Sequence, residues 1–190
     1  TNCTIGFKGI SVTGGGDLFI ENTVRHGTTF LSFRPDYGSK WDGHVRIRGC
    51  TFKPSGEQAT AVLSYRPTNF DYQYPIGYAK SITVEDMVID YSAAPASTAI
   101  CWVMQTVPFS ITDDGSRLFF PNQITFRNIS VEGRDQGVRL LRIPEPGTHD
   151  MRKAGGYDGA LLSTNCDFVF DRVQLERLTG RNEDGGDEVH

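Results

Sequence analysis

Apolar and polar residues alternate along this chain in one eight-residue pattern that occurs five times. Apolar residues fill its first, third, sixth and eighth positions, and two polar or glycine residues separate the halves. Alternation predicts a strand for each half, because successive strand side chains point to opposite faces. The five copies are Ile5-x-Phe7-x-x-Ile10-x-Val12, Val45-x-Ile47-x-x-Cys50-x-Phe52, Ile82-x-Val84-x-x-Met87-x-Ile89, Ile124-x-Phe126-x-x-Ile129-x-Val131 and Phe168-x-Phe170-x-x-Val173-x-Leu175.

A second apolar run lies between successive copies, at residues 30–34, 62–66, 100–105 and 138–142. Each run predicts a third short strand per repeat and is followed by a long loop. The copies of the eight-residue pattern start roughly 37–44 residues apart, a period typical of repeat architectures. Residues 18–20 predict an extra strand in the first repeat.

Two architectures fit these repeats. In a right-handed parallel β-helix, each repeat is one coil of three strands, stacked about 4.8 Å above the last. In a β-propeller, each eight-residue copy is a hairpin of a blade. A β-helix corner needs a left-handed residue, a demand that Gly9, Gly49, Asp86 and Asn128 meet and Arg172 does not. These residues favour an all-β, right-handed parallel β-helix of about four to five coils, with long loops at one corner.

The repeat pattern, the corner residues and the long loops resemble the pectin-lyase-like superfamily of right-handed parallel β-helix proteins. The resemblance covers residues 1–178, and residues 179–190 form an acidic tail. Residues 34–43 are similar to sequences in secreted β-helix proteins of gut bacteria. The superfamily includes polysaccharide lyases, glycoside hydrolases, epimerases and phage tailspikes. The resemblance therefore implies a secreted, periplasmic or cell-surface location, or a virion in the tailspike case.

Composition narrows the set of partners. The net charge of −4 gives no basic footprint for nucleic acid, and the apolar runs are too short for membrane insertion. Neither end of the chain reads as a polar capping repeat, so we expect further β-helix coils from a longer parent chain or from partner subunits. We expect no cofactor, with a calcium loop at residues 183–188 as a weak alternative.

The four cysteines do not predict a disulfide framework. Cys3 and Cys166 lead into the first and last copies of the pattern, so the repeat predicts that they lie far apart. We expect all four residues to be buried thiols.

A row of arginines is the first candidate feature for binding. Arg34 and Arg66 end equivalent runs, Gln105 ends the next, and Arg142 lies near the same corner. Stacked guanidinium groups repel unless anions separate them. The anion is either a loop carboxylate, which would make the row structural, or an acidic glycan, which suits the planar donor geometry of Arg.

The loops that follow the runs supply the remaining candidate residues, since function concentrates on loops held by a rigid scaffold. A hydrolase needs paired carboxylates, and a lyase needs a base beside a uronate carboxylate together with a cation. Aromatic side chains there stack on sugars or, alternatively, pack over the strand edges. The predicted catalytic residues are Asp36, Asp71, Asp114 and His149. The predicted substrate-binding residues are Arg34, Tyr37, Lys40, Trp41, Arg66, Tyr72 and Arg142.

We therefore predict a carbohydrate-active domain that hydrolyses or eliminates glycosidic bonds in an acidic polysaccharide. Two alternatives stay open. One is a non-catalytic glycan-binding or adhesion segment, and the other is a structural shaft like that of a phage tailspike.

Overall fold

The computed structural model describes residues 3–5, 10–33, 41–57, 59–65, 76–77, 79–106, 118–119, 121–142 and 167–176. These residues form parallel β-sheets and contain no helix. No helix that could cross a membrane occurs in this part of the chain. In chain order the strands are β1 (Cys3–Ile5), β2 (Ile10–Val12), β3 (Leu18–Glu21), β4 (Thr23–Gly27), β5 (Thr29–Phe33), β6 (His44–Arg48), β7 (Thr51–Pro54), β8 (Thr60–Tyr65), β9 (Ile76–Gly77), β10 (Ser81–Asp90), β11 (Cys101–Thr106), β12 (Leu118–Phe119), β13 (Gln123–Glu132), β14 (Arg139–Arg142) and β15 (Asp167–Val173).

Two sheets carry most of the structure. Sheet 1 contains the eight-residue copies, in the order β1-β4-β7-β10-β13-β15, with β3 pairing β6 and β6 pairing β10. Sheet 2 contains the apolar runs, in the order β2-β5-β8-β11-β14. A small third sheet joins β9 to β12. In both main sheets each strand pairs in parallel with the equivalent strand of the next repeat.

The eight-residue pattern is not a hairpin in the described residues. β10 and β13 each run through both halves as one ten-residue strand. β10 pairs in parallel with β6, β7 and β13. Propeller blades are built from antiparallel strands, so the hairpin alternative is wrong for these copies.

The two halves of each copy meet at a left-handed residue. The φ angles are 61° at Gly49, 54° at Asp86 and 53° at Asn128, which confirms the prediction for these three residues. Arg172 also has a positive φ, 53°, although its side chain disfavours that conformation. Gly9 lies outside the described residues. Asn128 Nδ2 donates to Asp86 Oδ1 at 2.8 Å, so adjacent corners are hydrogen bonded.

The first copy of the pattern is placed differently from the prediction. Leu18 and Ile20 pair in register with Val45 and Ile47, so β3 and β4 together form the copy that precedes β6 and β7. β1 pairs with β4 in sheet 1, whereas β2 belongs to sheet 2. The residues from Ile5 to Val12 therefore do not form one copy. The true copy is hidden in the sequence because a buried arginine, Arg25, stands in register with Phe52.

The core lies between the inward faces of sheets 1 and 2. Val45, Ile82 and Ile124 of sheet 1 are in register and almost fully buried. Phe30 of sheet 2 packs edge-on against Phe52 of sheet 1, with ring centroids 6.1 Å apart. That contact identifies the inward face of each sheet.

Two of the three cysteines in the described residues are buried. Cys50 and Cys101 are buried, as predicted, and burial raises the pKa of the Cys101 thiol to about 12. Cys3 is exposed, so the prediction of a buried thiol is wrong for this residue. It lies in β1 opposite Thr23, whereas Cys166 lies outside the described residues.

Candidate functional site

Strand register revises the predicted arginine row. Phe33 and Tyr65 are paired in sheet 2, so Arg34 and Arg66 follow equivalent strand ends in the sequence. Gln105 pairs with both Ser64 and Arg142. Arg142 and Gln105 are therefore level with Ser64, which lies two positions before Arg66 in the sequence. They do not align with the strand ends that precede Arg34 and Arg66, two residues that lie outside the described residues.

Most of the predicted site lies outside the described residues. This applies to every predicted catalytic residue and to most predicted substrate-binding residues. The structure describes two of the predicted residues, Trp41 and Arg142. Those outside are Arg34, Asp36, Tyr37, Lys40, Arg66, Asp71, Tyr72, Asp114 and His149.

Trp41 is buried rather than presented to solvent. Its side chain is 7% exposed, and its ring lies 5.8 Å from that of Phe33. Its Nε1 donates to the Gly16 carbonyl at 2.5 Å, and its backbone forms a parallel bridge with Gly15. This geometry matches the alternative that the aromatic side chain packs over the strand edge. A ring so buried offers little surface for stacking on a sugar.

Arg142 lines a surface pocket of about 580 Å³ beside sheet 2. Strands β11 and β14 contribute the polar and aromatic side chains of the pocket, and residues that lead into β8 and β11 form its apolar wall. The described residues that line it are Ala59, Ala99, Ile100, Trp102, Arg139 and Arg142.

The register between β11 and β14 brings an indole and a guanidinium together. Trp102 pairs with Arg139, and the Arg139 Cζ lies 5.4 Å from the centre of the Trp102 ring. Adjacent parallel strands are about 4.8 Å apart, so side chains in register on one face contact each other. A cation over an indole is attracted by the ring quadrupole.

A carboxylate fixes the position of Arg139. Its Nε donates to Glu176 Oε2 at 2.6 Å, and its Nη2 donates to Oε1 at 3.4 Å. Glu176 itself is positioned by backbone bonds, because its N–H donates to Val138 O at 2.9 Å and Val138 N–H donates to Gln174 O at 2.8 Å. The pocket therefore presents a guanidinium whose plane is set in advance.

Sequence reasoning missed Trp102 and Arg139 as site residues. Both lie within predicted strands, but their contact depends on the register between two strands that are 37 positions apart in the sequence. Their equivalents in earlier repeats are Thr29 and Ala61. At this one register position the side chain changes from small (Thr29, Ala61) to large or charged (Trp102, Arg139). That change could have indicated the pocket, but it can be seen only once the strand register is known.

The described residues contain no group of three or more His, Cys, Asp or Glu side chains arranged to hold a metal ion. Comparisons with protein-family models, with curated proteins and with solved structures each found no match to this chain.

Proposed function

We propose that this chain is a right-handed parallel β-helix segment of pectin-lyase-like type that acts on an acidic polysaccharide, by hydrolysis or elimination of glycosidic bonds. The observation that carries the proposal is the pocket beside β11 and β14, which is lined by Trp102, Arg139 and Arg142. The proposal includes a secreted or bacterial cell-surface location, where such a polysaccharide would be encountered.

Repeated parallel pairing supports the β-helix. Going along the chain, β3 and β4 of sheet 1 are followed by β5 of sheet 2, and β6 and β7 are followed by β8. β10 and β11, and then β13 and β14, repeat that alternation. Each strand finds its partner one repeat later, which is the connectivity of a coil stacked on itself.

The chemistry of the pocket suits an acidic sugar. The faces of sugar rings carry C–H groups that pack on an aromatic ring such as Trp102, and carboxylates accept strong bidentate hydrogen bonds from arginine. Charge-assisted bonds of this kind are roughly twice as strong as neutral ones. Arg142, next to an Arg139 that is already paired with Glu176, would favour a uronate over a neutral sugar.

The reacting groups in this proposal come from the loops. The six described residues that line the pocket supply binding groups and no carboxylate. Asp36, Asp71 and Asp114 are our candidates for the acid and base of a hydrolase, and His149 is our candidate for the base of a lyase.

A paired digestion assay tests the reaction. Acidic and neutral polysaccharides are incubated with the protein, and both new reducing ends and the ultraviolet absorbance of unsaturated uronates are recorded. Elimination raises both signals, whereas hydrolysis raises only reducing ends. If neither signal rises for any acidic polysaccharide, the enzymatic part of the proposal is wrong.

Non-catalytic glycan binding is the second candidate, because the described lining residues of the pocket include an indole and two arginines, which suit sugar binding. Replacing Asp36, Asp71 and Asp114 with Asn separates the two. If the enzyme is a hydrolase, binding survives and turnover disappears; if it is a lyase, His149→Ala is the variant that should show this result. A wild-type chain that binds acidic polysaccharide without turnover is the result expected of a binding segment.

A further inference from the structure

Arg134 lies outside the pocket yet contacts the segment that forms its wall. We infer that Arg134, together with Tyr91, is a positioning residue that sets the Ala99–Ile100 wall of the pocket; this inference rests on the proposed function. Arg134 follows β13 and belongs to the repeat after the segment that it holds. Its side chain therefore joins two successive repeats.

The guanidinium of Arg134 caps the turn before β11. Its Nη1 donates to Thr98 O at 2.6 Å, and its Nη2 donates to Pro95 O at 2.9 Å and to Ala96 O at 3.3 Å. The Arg134 Cζ also lies 4.3 Å from the centre of the Tyr91 ring. Three carbonyl acceptors and one aromatic face fix both the plane and the position of this side chain.

Tyr91 extends the same contact to the wall itself. Its hydroxyl donates to Ala99 O at 3.3 Å and accepts from the Cys101 N–H at 2.7 Å. Tyr91 is 3% exposed, and burial raises the pKa of its phenol, so the hydroxyl keeps its proton. The two hydrogen bonds flank Ile100, which lines the pocket beside Trp102.

The backbone at the start of this contact is shaped for close approach. Gly133 has φ 78°, and a Cβ at this position would lie 2.4 Å from the Ser92 backbone nitrogen. Glycine is therefore required where the chain after β13 crosses the chain after β10. That crossing places Arg134 over Tyr91 and the 95–98 turn.

The intrinsic fluorescence of Trp102 provides a readout that needs no ligand. The chain has two tryptophans, and Trp41 is buried, so a neutral quencher such as acrylamide reports chiefly on Trp102. Arg134→Gln should raise the quenching constant about twofold, because the wall beside Trp102 loosens. The matched control is Arg127→Gln, which removes a guanidinium of the same repeat that pairs with Asp171 on sheet 1.

The second readout is affinity for polygalacturonate, measured for both variants at one ionic strength. Arg134→Gln should weaken binding roughly tenfold relative to Arg127→Gln, because a displaced Ala99–Ile100 wall no longer holds the pocket in the shape that binds the polymer. The two variants have the same net charge, so long-range attraction for the polyanion is matched. Circular dichroism checks that both variants are folded.

Tyr91→Phe keeps the ring and removes the hydroxyl, and it carries the test if Arg134→Gln fails to fold. It should raise quenching and weaken binding in the same direction. The inference would be overturned if Arg134→Gln showed the same quenching constant and the same affinity as the control Arg127→Gln. If Arg134→Gln does not fold, Tyr91→Phe is compared with the control in the same way. If wild type does not bind acidic polysaccharide, the proposed function fails, whereas the quenching comparison still decides whether Arg134 sets the wall.

Discussion

Sheets 1 and 2 share one parallel stacking pattern but differ in what covers their outer faces. In sheet 1 the outward positions carry polar and charged side chains that pair along the stack: Arg46 donates to Glu85 at 2.8 Å, and Lys53 lies 2.8 Å from Asp90. In sheet 2 the outward positions in the middle of strands β5, β8 and β11 are apolar. Leu31, Leu63 and Met104 are in register on the face opposite Phe30, and each is at most 1% exposed.

This difference explains the two sequence patterns. Sheet 1 alternates because one face meets solvent, whereas the runs of sheet 2 are almost continuously apolar because both faces are buried. It also explains the location of the pocket. On the outward face of sheet 2, Trp102 and Arg139 stand in register with the smaller Thr29 and Ala61 of earlier repeats. Trp102 is half-buried and Arg139 is exposed, so this face becomes accessible to solvent near β14.

The largest expected effect concerns the outward face of sheet 2. Leu63→Ala should lower the free energy of unfolding by about 2–5 kcal/mol, the cost of a cavity at a fully buried position. Thr83→Ala, at an outward position of sheet 1, should change it by no more than about 0.5 kcal/mol. Urea unfolding measures both. Equal small effects would mean that the two outer faces do not differ.

The ion pairs on sheet 1 should show a defined pH dependence. The hydrogen bond from Lys53 and, to a lesser extent, the hydrogen bond from the Ser92 N–H lower the pKa of Asp90 to about 2. A lowered folded-state pKa stabilises the fold above the unfolded-state pKa of about 4, and this stabilisation is lost as pH falls through 2. Asp90→Asn should therefore cost roughly 1–2 kcal/mol at pH 7 and almost nothing at pH 2.

Urea unfolding between pH 2 and 7 measures this effect. Lys53→Met serves as the partner variant, and the double variant isolates the coupling between the two side chains. A cost of Asp90→Asn that persists unchanged at pH 2 would contradict an electrostatic origin.

The smallest expected effect lies at the corner of sheet 1. The backbone of Arg172 has the left-handed conformation, which arginine disfavours. Asparagine tolerates this conformation, and Asn128 adopts it in the preceding repeat. Arg172→Asn should raise the free energy of unfolding by about 0.5–1 kcal/mol. Arg172→Ala is the control, because it removes the same side chain without gaining that tolerance. Equal stability of the two variants would show that the left-handed conformation carries no cost here.

The sequence predicts the strands and three left-handed corners well, because alternation and side-chain tolerance are local properties. It misplaces the first copy, since Ile5 to Val12 match the apolar pattern by residue type while the true copy carries Thr23 and Arg25 at buried positions. The site was harder to predict. The contact of Arg139 with Trp102 depends on register between strands, and the burial of Trp41 depends on Phe33 and Gly16.

The most direct test of the proposed function is a fluorescence titration of Trp102 with polygalacturonate and with the same polymer after reduction of its carboxyl groups. We predict a saturable change in emission with the acidic polymer and a weaker response to the reduced one. Arg142→Gln should weaken binding of the acidic polymer about tenfold or more. Equal affinity for both polymers, or no effect of Arg142→Gln, would contradict an acidic-glycan site at this pocket.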